Sequence, residues 1–118
     1  MNSKGTLDIL SQLRALGSQP TGTETGDGKD IGPTGLVRGV VQITVASGTS
    51  LTVYLEGSDD DATYYRIPGS DFRDPDDGEV MDAAGIYEVF FKTAYRYVRM
   101  VSVAAGGAFT HSVFVTKI

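Results

Sequence analysis

Short runs of alternating apolar and polar residues recur along this chain and predict an all-β protein. The clearest run places Leu51, Val53 and Leu55 on one face of a strand, with Thr, Tyr and Glu residues between them on the other. A period of two is typical of a half-buried strand. The turn-forming residues that start at Gly57 end this strand, and residues 63–67 provide a second one. The pattern therefore predicts a hairpin with an acidic tip.

Similar runs predict the remaining strands of an antiparallel β-sandwich or jelly roll. In the first of them Val41, Ile43 and Val45 share a face, and Gly39 marks a bulge or a close approach of another part of the chain. Counting the hairpin, six or seven short strands with regularly spaced turns are expected, which is typical of these folds. The other predicted strands span residues 36–46, 86–93, 95–104 and 109–118.

The first third of the chain has a different pattern, and we expect it to form a short helix and an extended arm. Thr6 is suited to cap a helix and Gly17 to follow its last turn. The apolar stripe of this helix would include Leu7, Leu10 and Leu13. Residues 18–35 are rich in glycine, proline and small polar residues, which cannot build a core. We therefore divide the chain into a helix and flexible arm, residues 1–35, and a β-sandwich domain, residues 36–118.

Composition and charge exclude several classes of function. The chain has no cysteine, so disulfides, thiolate catalysis and cysteine-based metal sites are excluded. Its net charge of −5 argues against binding to the phosphate backbone of nucleic acids. No apolar run approaches the ~20 residues that a membrane-spanning helix needs. Residues 1–17 do not have the pattern of a secretory signal, so we expect the chain to be cytosolic at synthesis.

No combination of residues predicts catalysis, a cofactor or a metal site. The only histidine, His111, has no neighbouring motif that marks a nucleophile, and we expect it near the surface of a strand or turn. The aspartates at 59–61 and 71–77 are candidate calcium ligands, but they lack the spacing of a calcium-binding loop and more often stabilise turns. The predicted protein is not an enzyme.

Aromatic residues of the hairpin leave two interpretations open. Tyr54, Tyr64 and Tyr65 are candidates for stacking on a sugar. Residues of this kind more often form cross-strand packing pairs. The sequence does not choose between these roles.

Three consecutive segments together resemble a known protein family. They are LTVYLEGSDDDATYYRIPG at residues 51–69, GIYEVFFKT at 85–93 and TAYRYVRMVSVAAGGAF at 93–109. Their order resembles the small jelly-roll capsid cement, or decoration, proteins of tailed bacteriophages, over residues 36–118. The resemblance implies a virion protein on the outer surface of the capsid, made in the host cytoplasm. It also implies a homodimer or homotrimer that clamps neighbouring subunits of the major capsid protein.

The same segments are also similar to discoidin-type galactose-binding β-sandwiches, although the chain has no tryptophan and no cysteine pair. A carbohydrate-binding module is therefore an alternative, as is another phage structural part such as a tail or head–tail connector subunit. For the cement protein we expect partner binding through the N-terminal apolar stripe, the loop at 68–85 and two arginines three residues apart. These residues are Leu7, Leu10, Leu13, Phe72, Arg96 and Arg99.

Overall fold

The computed structural model describes residues 10–32, 35–73 and 80–117, and within these ranges the chain forms nine β-strands and no helix. None of the described residues belongs to a helix long and apolar enough to cross a membrane. The strands are β1 (Leu10–Gln19), β2 (Gly22–Thr25), β3 (Lys29–Asp30), β4 (Gly35–Ala46), β5 (Ser50–Ser58), β6 (Tyr65–Arg66), β7 (Gly85–Thr93), β8 (Tyr97–Ala105) and β9 (Phe109–Lys117).

Two antiparallel sheets form a β-sandwich, as the alternating pattern predicts. Sheet I has the strand order β1-β9-β4-β7, and sheet II has the order β2-β8-β5-β6 with β3 also beside β8. The pairs are nested along the chain: β1 pairs with β9, β2 and β3 with β8, β4 with β7, and β5 with β6. The pairs β4–β9 and β5–β8 join these hairpin-like units into the two sheets.

The predicted N-terminal helix is wrong where the structure describes it. Residues 10–17 belong to β1, which pairs with β9, and residues 6–9 lie outside the described ranges. The register with β9 shifts between Gln12 and Arg14 and again between Arg14 and Gly17. These bulges break the period of two, so the apolar spacing of this strand resembles that of a helix. A helix of about ten residues is marginal alone, whereas pairing with β9 gives this segment backbone hydrogen bonds to a neighbouring strand.

The segment that follows β1 also contributes to the sandwich. β2 and β3 both pair with β8, and Ile31 packs against the core. Whether residues 1–35 act as an arm that reaches a neighbouring molecule stays a prediction.

The hydrophobic core lies between the inward faces of the two sheets. Leu51, Val53 and Leu55 are fully buried from sheet II, as their alternation predicts. Val41 and Ile43 are buried opposite them, but Val45 is half exposed, since the register with β9 shifts between Ile43 and Val45. Each buried side chain of this size stabilises the fold by about 1.5–3 kcal/mol.

Phe72 attaches the long β6–β7 connection to the core. Its side chain is buried, and its backbone N–H donates to the carbonyl of Val53 at 3.0 Å. The ring lies directly over Gly39, where an added Cβ would be 2.7 Å from Cζ of Phe72. The register on both sides of Gly39 is regular, so this glycine marks a close approach and not a bulge.

A buried polar cluster of Gln19, Ser102 and His111 connects the two sheets. The amide nitrogen of Gln19 donates to the carbonyls of Ser102 and Gly22, each at 3.1 Å. Its amide oxygen accepts from Ser102 Oγ at 2.6 Å and lies 2.8 Å from His111 Nε2. Because this oxygen can only accept, His111 carries its proton on Nε2. His111 is completely buried, so the expected position near the surface is wrong.

The surroundings of His111 keep its imidazole neutral. The pKa of His111 is lowered from 6.5 to about 4, mainly by burial and also by the nearby positive charge of Arg14, against a smaller opposing effect of Glu24. Arg14 donates to the carbonyl of His111 at 2.6 Å and forms an ion pair with Glu24 at 2.9 Å. His111 Nδ1 is buried without a hydrogen-bond partner among the described residues. Protonation in the folded state would therefore place an uncompensated charge in the core.

We expect Gly39→Ala to destabilise the fold by about 1–3 kcal/mol, because the new methyl group displaces the Phe72 ring from the core. Urea denaturation measures the change. Gly17→Ala is the matched control: its added Cβ meets no atom nearer than 3.9 Å, so its effect should stay within about 0.5 kcal/mol. In a Phe72→Leu background the cost of Gly39→Ala should fall. Equal costs in both backgrounds would contradict this packing.

The buried His111 should make stability depend on pH between its folded and unfolded pKa values. The unfolded chain binds a proton below pH 6.5 and the folded chain only near pH 4, so stability is complete above 6.5 and falls below it. Near pH 5 the loss from this residue is about 2 kcal/mol relative to pH 7. Denaturation of the wild type and of His111→Gln at both pH values measures it. The same acid sensitivity in both proteins would contradict the assignment.

Candidate binding surfaces

Two of the four apolar residues expected to contact a partner are buried in the core. Leu7 lies outside the described residues, and Leu10 begins β1 opposite Thr116 of β9. Leu13 and Phe72 are both buried in the core. The side chains of Leu13 and Phe72 therefore stabilise the sandwich and are not available to a partner.

The two arginines expected to contact a partner lie in different environments. Arg96 precedes β8 and forms an exposed ion pair with Asp30 at 2.9 Å, which holds the pKa of the Asp30 carboxyl below its usual range. Arg99 lies within β8 and pairs with Glu56 across the sheet at 2.7 Å. The ion pairs thus join β3 and β5 to the β8 region, and neither arginine pairs with the acidic turn at 59–61.

Arginine side chains cover the tyrosine rings on the outer face of sheet II. The guanidinium of Arg66 lies 4.0 Å from the centre of the Tyr54 ring, and that of Arg99 lies 4.1 Å from the centre of the Tyr64 ring. Burial and a hydrogen bond to Asp61 raise the pKa of Tyr64 to about 12. One face of the Tyr54 ring is therefore covered by Arg66, and one face of the Tyr64 ring by Arg99. For these two rings the geometry favours the packing interpretation over a sugar platform, whereas Tyr65 is 58% exposed and its role stays a prediction.

The described aspartates of the acidic turn stabilise the turn itself. The carboxylate of Asp60 accepts hydrogen bonds from the backbone of Ala62 and Thr63 and from Ser58 Oγ. These bonds hold the pKa of Asp60 below its usual range. No group of three potential metal ligands occurs among the described residues, whereas Asp74, Asp76 and Asp77 of the second acidic cluster lie outside them.

The outer face of sheet I carries a cluster of apolar side chains, which we call the outer patch. Ile86 and Phe90 of β7 are 65% and 57% exposed, although both side chains are large and apolar. The patch comprises Leu36, Val40, Ile86, Phe90 and Phe114. The paired charges of Arg38 and Glu88 lie among these side chains. Exposed apolar surface makes this face a candidate for protein–protein interaction or ligand binding.

A shallow depression lies within the outer patch and has a charged border. It has a volume of about 300 Å³ and is lined by Arg38, Val40, Ile86, Phe114 and Thr116. Arg38 forms an ion pair with Glu88 on the neighbouring strand. The depression is open and offers one cation among apolar walls, which suits adhesion to another surface.

The sequence contains part of the signal for the outer patch. The face of β7 opposite its core residues holds Ile86 and Phe90 between Glu88 and Lys92, so its polarity is mixed. Val40 and Phe114 join them only because β4 lies between β7 and β9 in the sheet. The pattern of one strand indicates an unusual face, and the sheet order shows its extent.

Comparison with known proteins identifies the fold and no family. No protein-family model and no curated protein matches the chain. Among solved structures, the VP2 subviral particle of infectious bursal disease virus matches with a TM-score of 0.56 and 11% identity over 92% of this chain, which spans only 31% of the VP2 chain.

Two further structures are similar at lower scores. The SPBc2 prophage-derived protein YomS has a TM-score of 0.48 and 16% identity over 91% of each chain. The module CpGH89CBM32-5 of Clostridium perfringens, solved in complex with GalNAc-β-1,3-galactose, has a TM-score of 0.48 and 12% identity over 90% of this chain and 99% of its own. At these identities the likeness concerns the fold alone, and the VP2 match supports a β-sandwich.

Proposed function

We propose that this chain is a non-enzymatic structural protein of a bacteriophage virion. It binds the outer surface of the capsid as a cement, or decoration, protein and contacts neighbouring subunits of the major capsid protein. It acts by adhesion, so its functional site is a binding surface and not an active site.

The outer patch is the observation that carries this proposal. It presents apolar side chains on the outer face of a sheet whose other face is packed in the core. Specific protein interfaces combine such an apolar centre with a charged rim. The ion pair of Arg38 and Glu88 and the side chain of Lys92 supply charges of both signs beside the apolar residues.

The strand order gives the proposal a second support. Nested antiparallel pairs that wrap into two four-strand layers are the connectivity of a jelly roll, if β2 and β3 count as one interrupted strand. Viral capsid domains and lectins both use this architecture. Because one fold hosts many functions, the strand order is compatible with both a capsid protein and a lectin. The outer patch favours adhesion over sugar binding.

Repetition on a capsid explains how a small domain of this kind works as a cement. One copy offers a limited contact area, and a single contact of this size is weak. When one copy contacts two adjacent capsid subunits, the second contact forms within the same complex and has a high effective concentration. The subunits are then held together by many modest contacts, without any chemical step.

The proposal predicts that the chain is part of the particles encoded by the genome that carries it. We expect it to remain with purified particles, and immunogold labelling to mark their heads regularly. Particles that lack the chain should lose their DNA at a lower temperature, and adding purified protein should restore their stability. Dye release during heating measures this difference.

Single substitutions relate the effect to the outer patch. Ile86→Ser should weaken rebinding to the heads about tenfold or more, because it removes a largely exposed apolar contact at the patch. Tyr65→Ser is the matched control, since Tyr65 is similarly exposed at 58% but lies in sheet II. Labelling of tails or connectors, binding to a glycan instead of heads, or absence from particles would each contradict the proposal.

A further inference from the structure

Strand β7 forms a long, regular sheet edge that none of the described strands covers. It pairs with β4 without a register shift over its nine residues, and its other side lies at the end of sheet I. The other described edges are poor templates for pairing: β1 contains two register shifts, and β2, β3 and β6 have four, two and two residues. A regular edge of this length exposes unpaired backbone donors and acceptors and is prone to pair with another chain.

The side chains of β7 that face away from the core alternate between apolar and charged. Ile86, Glu88, Phe90 and Lys92 are all exposed, and Phe90 occupies the middle of the charged pair. The two charged residues lie symmetrically on either side of Phe90. Reversing the strand about Phe90 exchanges the positions of Glu88 and Lys92.

We propose that two copies of this chain associate through antiparallel pairing of their β7 strands around a twofold axis at Phe90. In this register Phe90 faces Phe90 of the second copy, and Glu88 of each copy faces Lys92 of the other. Directly opposed aromatic pairs and opposite charges both stabilise antiparallel strands. The two four-stranded sheets become one continuous eight-stranded sheet in a closed dimer.

Charge and shape select this register over its neighbours. A shift of two residues in either direction places Phe90 opposite Glu88 or Lys92 and separates the two charges. A further shift in one direction opposes Glu88 to Glu88, which is repulsive. Shifts of one residue would exchange the inner and outer faces of the sheet.

The inner face of β7 is compatible with the same register. Val89, which is half-buried at the edge of the core, faces the buried Phe91 of the second copy. The apolar contacts therefore continue across the new junction on both faces of the sheet. Lys92 has no ion pair among the described residues, so it gains a partner on association.

Arg38 connects this junction to the rest of sheet I. It lies directly opposite Phe90 on β4, diagonal to both Glu88 and Lys92. Its ion pair with Glu88 holds that carboxylate at the edge. In the dimer each Glu88 therefore lies between Arg38 of its own chain and Lys92 of the other.

This inference concerns the free protein and does not depend on the proposed role at a capsid. A dimer without any affinity for phage heads would contradict only the proposed function, and a monomer that binds heads would contradict only this inference. The pairing also places two outer patches side by side on one surface.

Exchange of the two charges tests the register directly. Light scattering coupled to size-exclusion chromatography, over a series of protein concentrations, should show the wild type as a dimer that dissociates on dilution. Glu88→Lys or Lys92→Glu alone should raise the dissociation constant about tenfold or more, because each creates two like-charge pairs. The double exchange should restore dimerisation, since the opposite charges face each other again and Arg38 keeps a diagonal carboxylate.

Three control measurements separate this effect from general changes of the protein. Asp59→Lys, in the turn after β5 of sheet II, changes the net charge by the same amount as Glu88→Lys and should leave the dimer intact. Phe90→Ser should weaken the dimer, whereas Tyr65→Ser, at an exposed aromatic residue of sheet II, should not. Thermal unfolding confirms that each variant is folded.

Several outcomes would overturn the inference. A wild type that is monomeric at every concentration, or trimeric, contradicts twofold pairing of β7. A dimer that survives Glu88→Lys, or a double exchange that stays monomeric, contradicts the register and the pairing that it defines.

Discussion

The packing of two inner sheet faces against each other is the constraint on which the rest of this structure depends. Leu51, Val53 and Leu55 from one sheet and Val41 and Val113 from the other exclude water between the layers. Burial of such side chains is the main stabilising contribution in a chain without disulfides. Each strand must then present alternate residues inward, and its register is fixed because a one-residue slip would turn the apolar side outward.

That constraint also explains why polar groups inside the sandwich are tied together. Gln19, Ser102 and His111 lie where β1 and β9 of sheet I approach β8 of sheet II. Their hydrogen bonds satisfy one another, which a buried polar group needs if it is not to destabilise the fold. Nδ1 of His111 is left without a partner among the described residues, so the surroundings oppose protonation of this histidine.

The outer faces are free of the packing constraint, and they differ from each other. On sheet II the arginines stack on tyrosines and pair with Glu56 and Asp71, so the charges of this face are largely satisfied within the chain. On sheet I the outer patch leaves Ile86 and Phe90 in water. Apolar side chains exposed to water cost free energy that contact with another surface recovers, and we therefore propose that association involves sheet I. The proposed contact surface is thus identified by the apolar side chains that the fold leaves exposed.

Part of the fold and little of the candidate site can be predicted from the sequence. The alternation around Leu51 and around Val41 identifies strands and their inward residues, because the period of two is a local property. The same method gives a helix for residues 6–17, since the bulges of β1 break the period and leave a helical spacing of apolar residues. Apolar character, which predicts four of the six partner residues, cannot separate Leu13 and Phe72 of the core from Ile86 and Phe90 of the surface.

By itself, the sequence determines that the chain is all-β over most of its length, without cysteine chemistry and with mixed polarity on the outer side of β7. Only the tertiary structure decides that β7 is an edge, that β4 carries Val40 beside it, and that His111 is buried against Gln19. The reason is that alternation records which side of a strand faces the core. Neighbours within a sheet come from pairing between residues far apart in the chain, which no local pattern encodes.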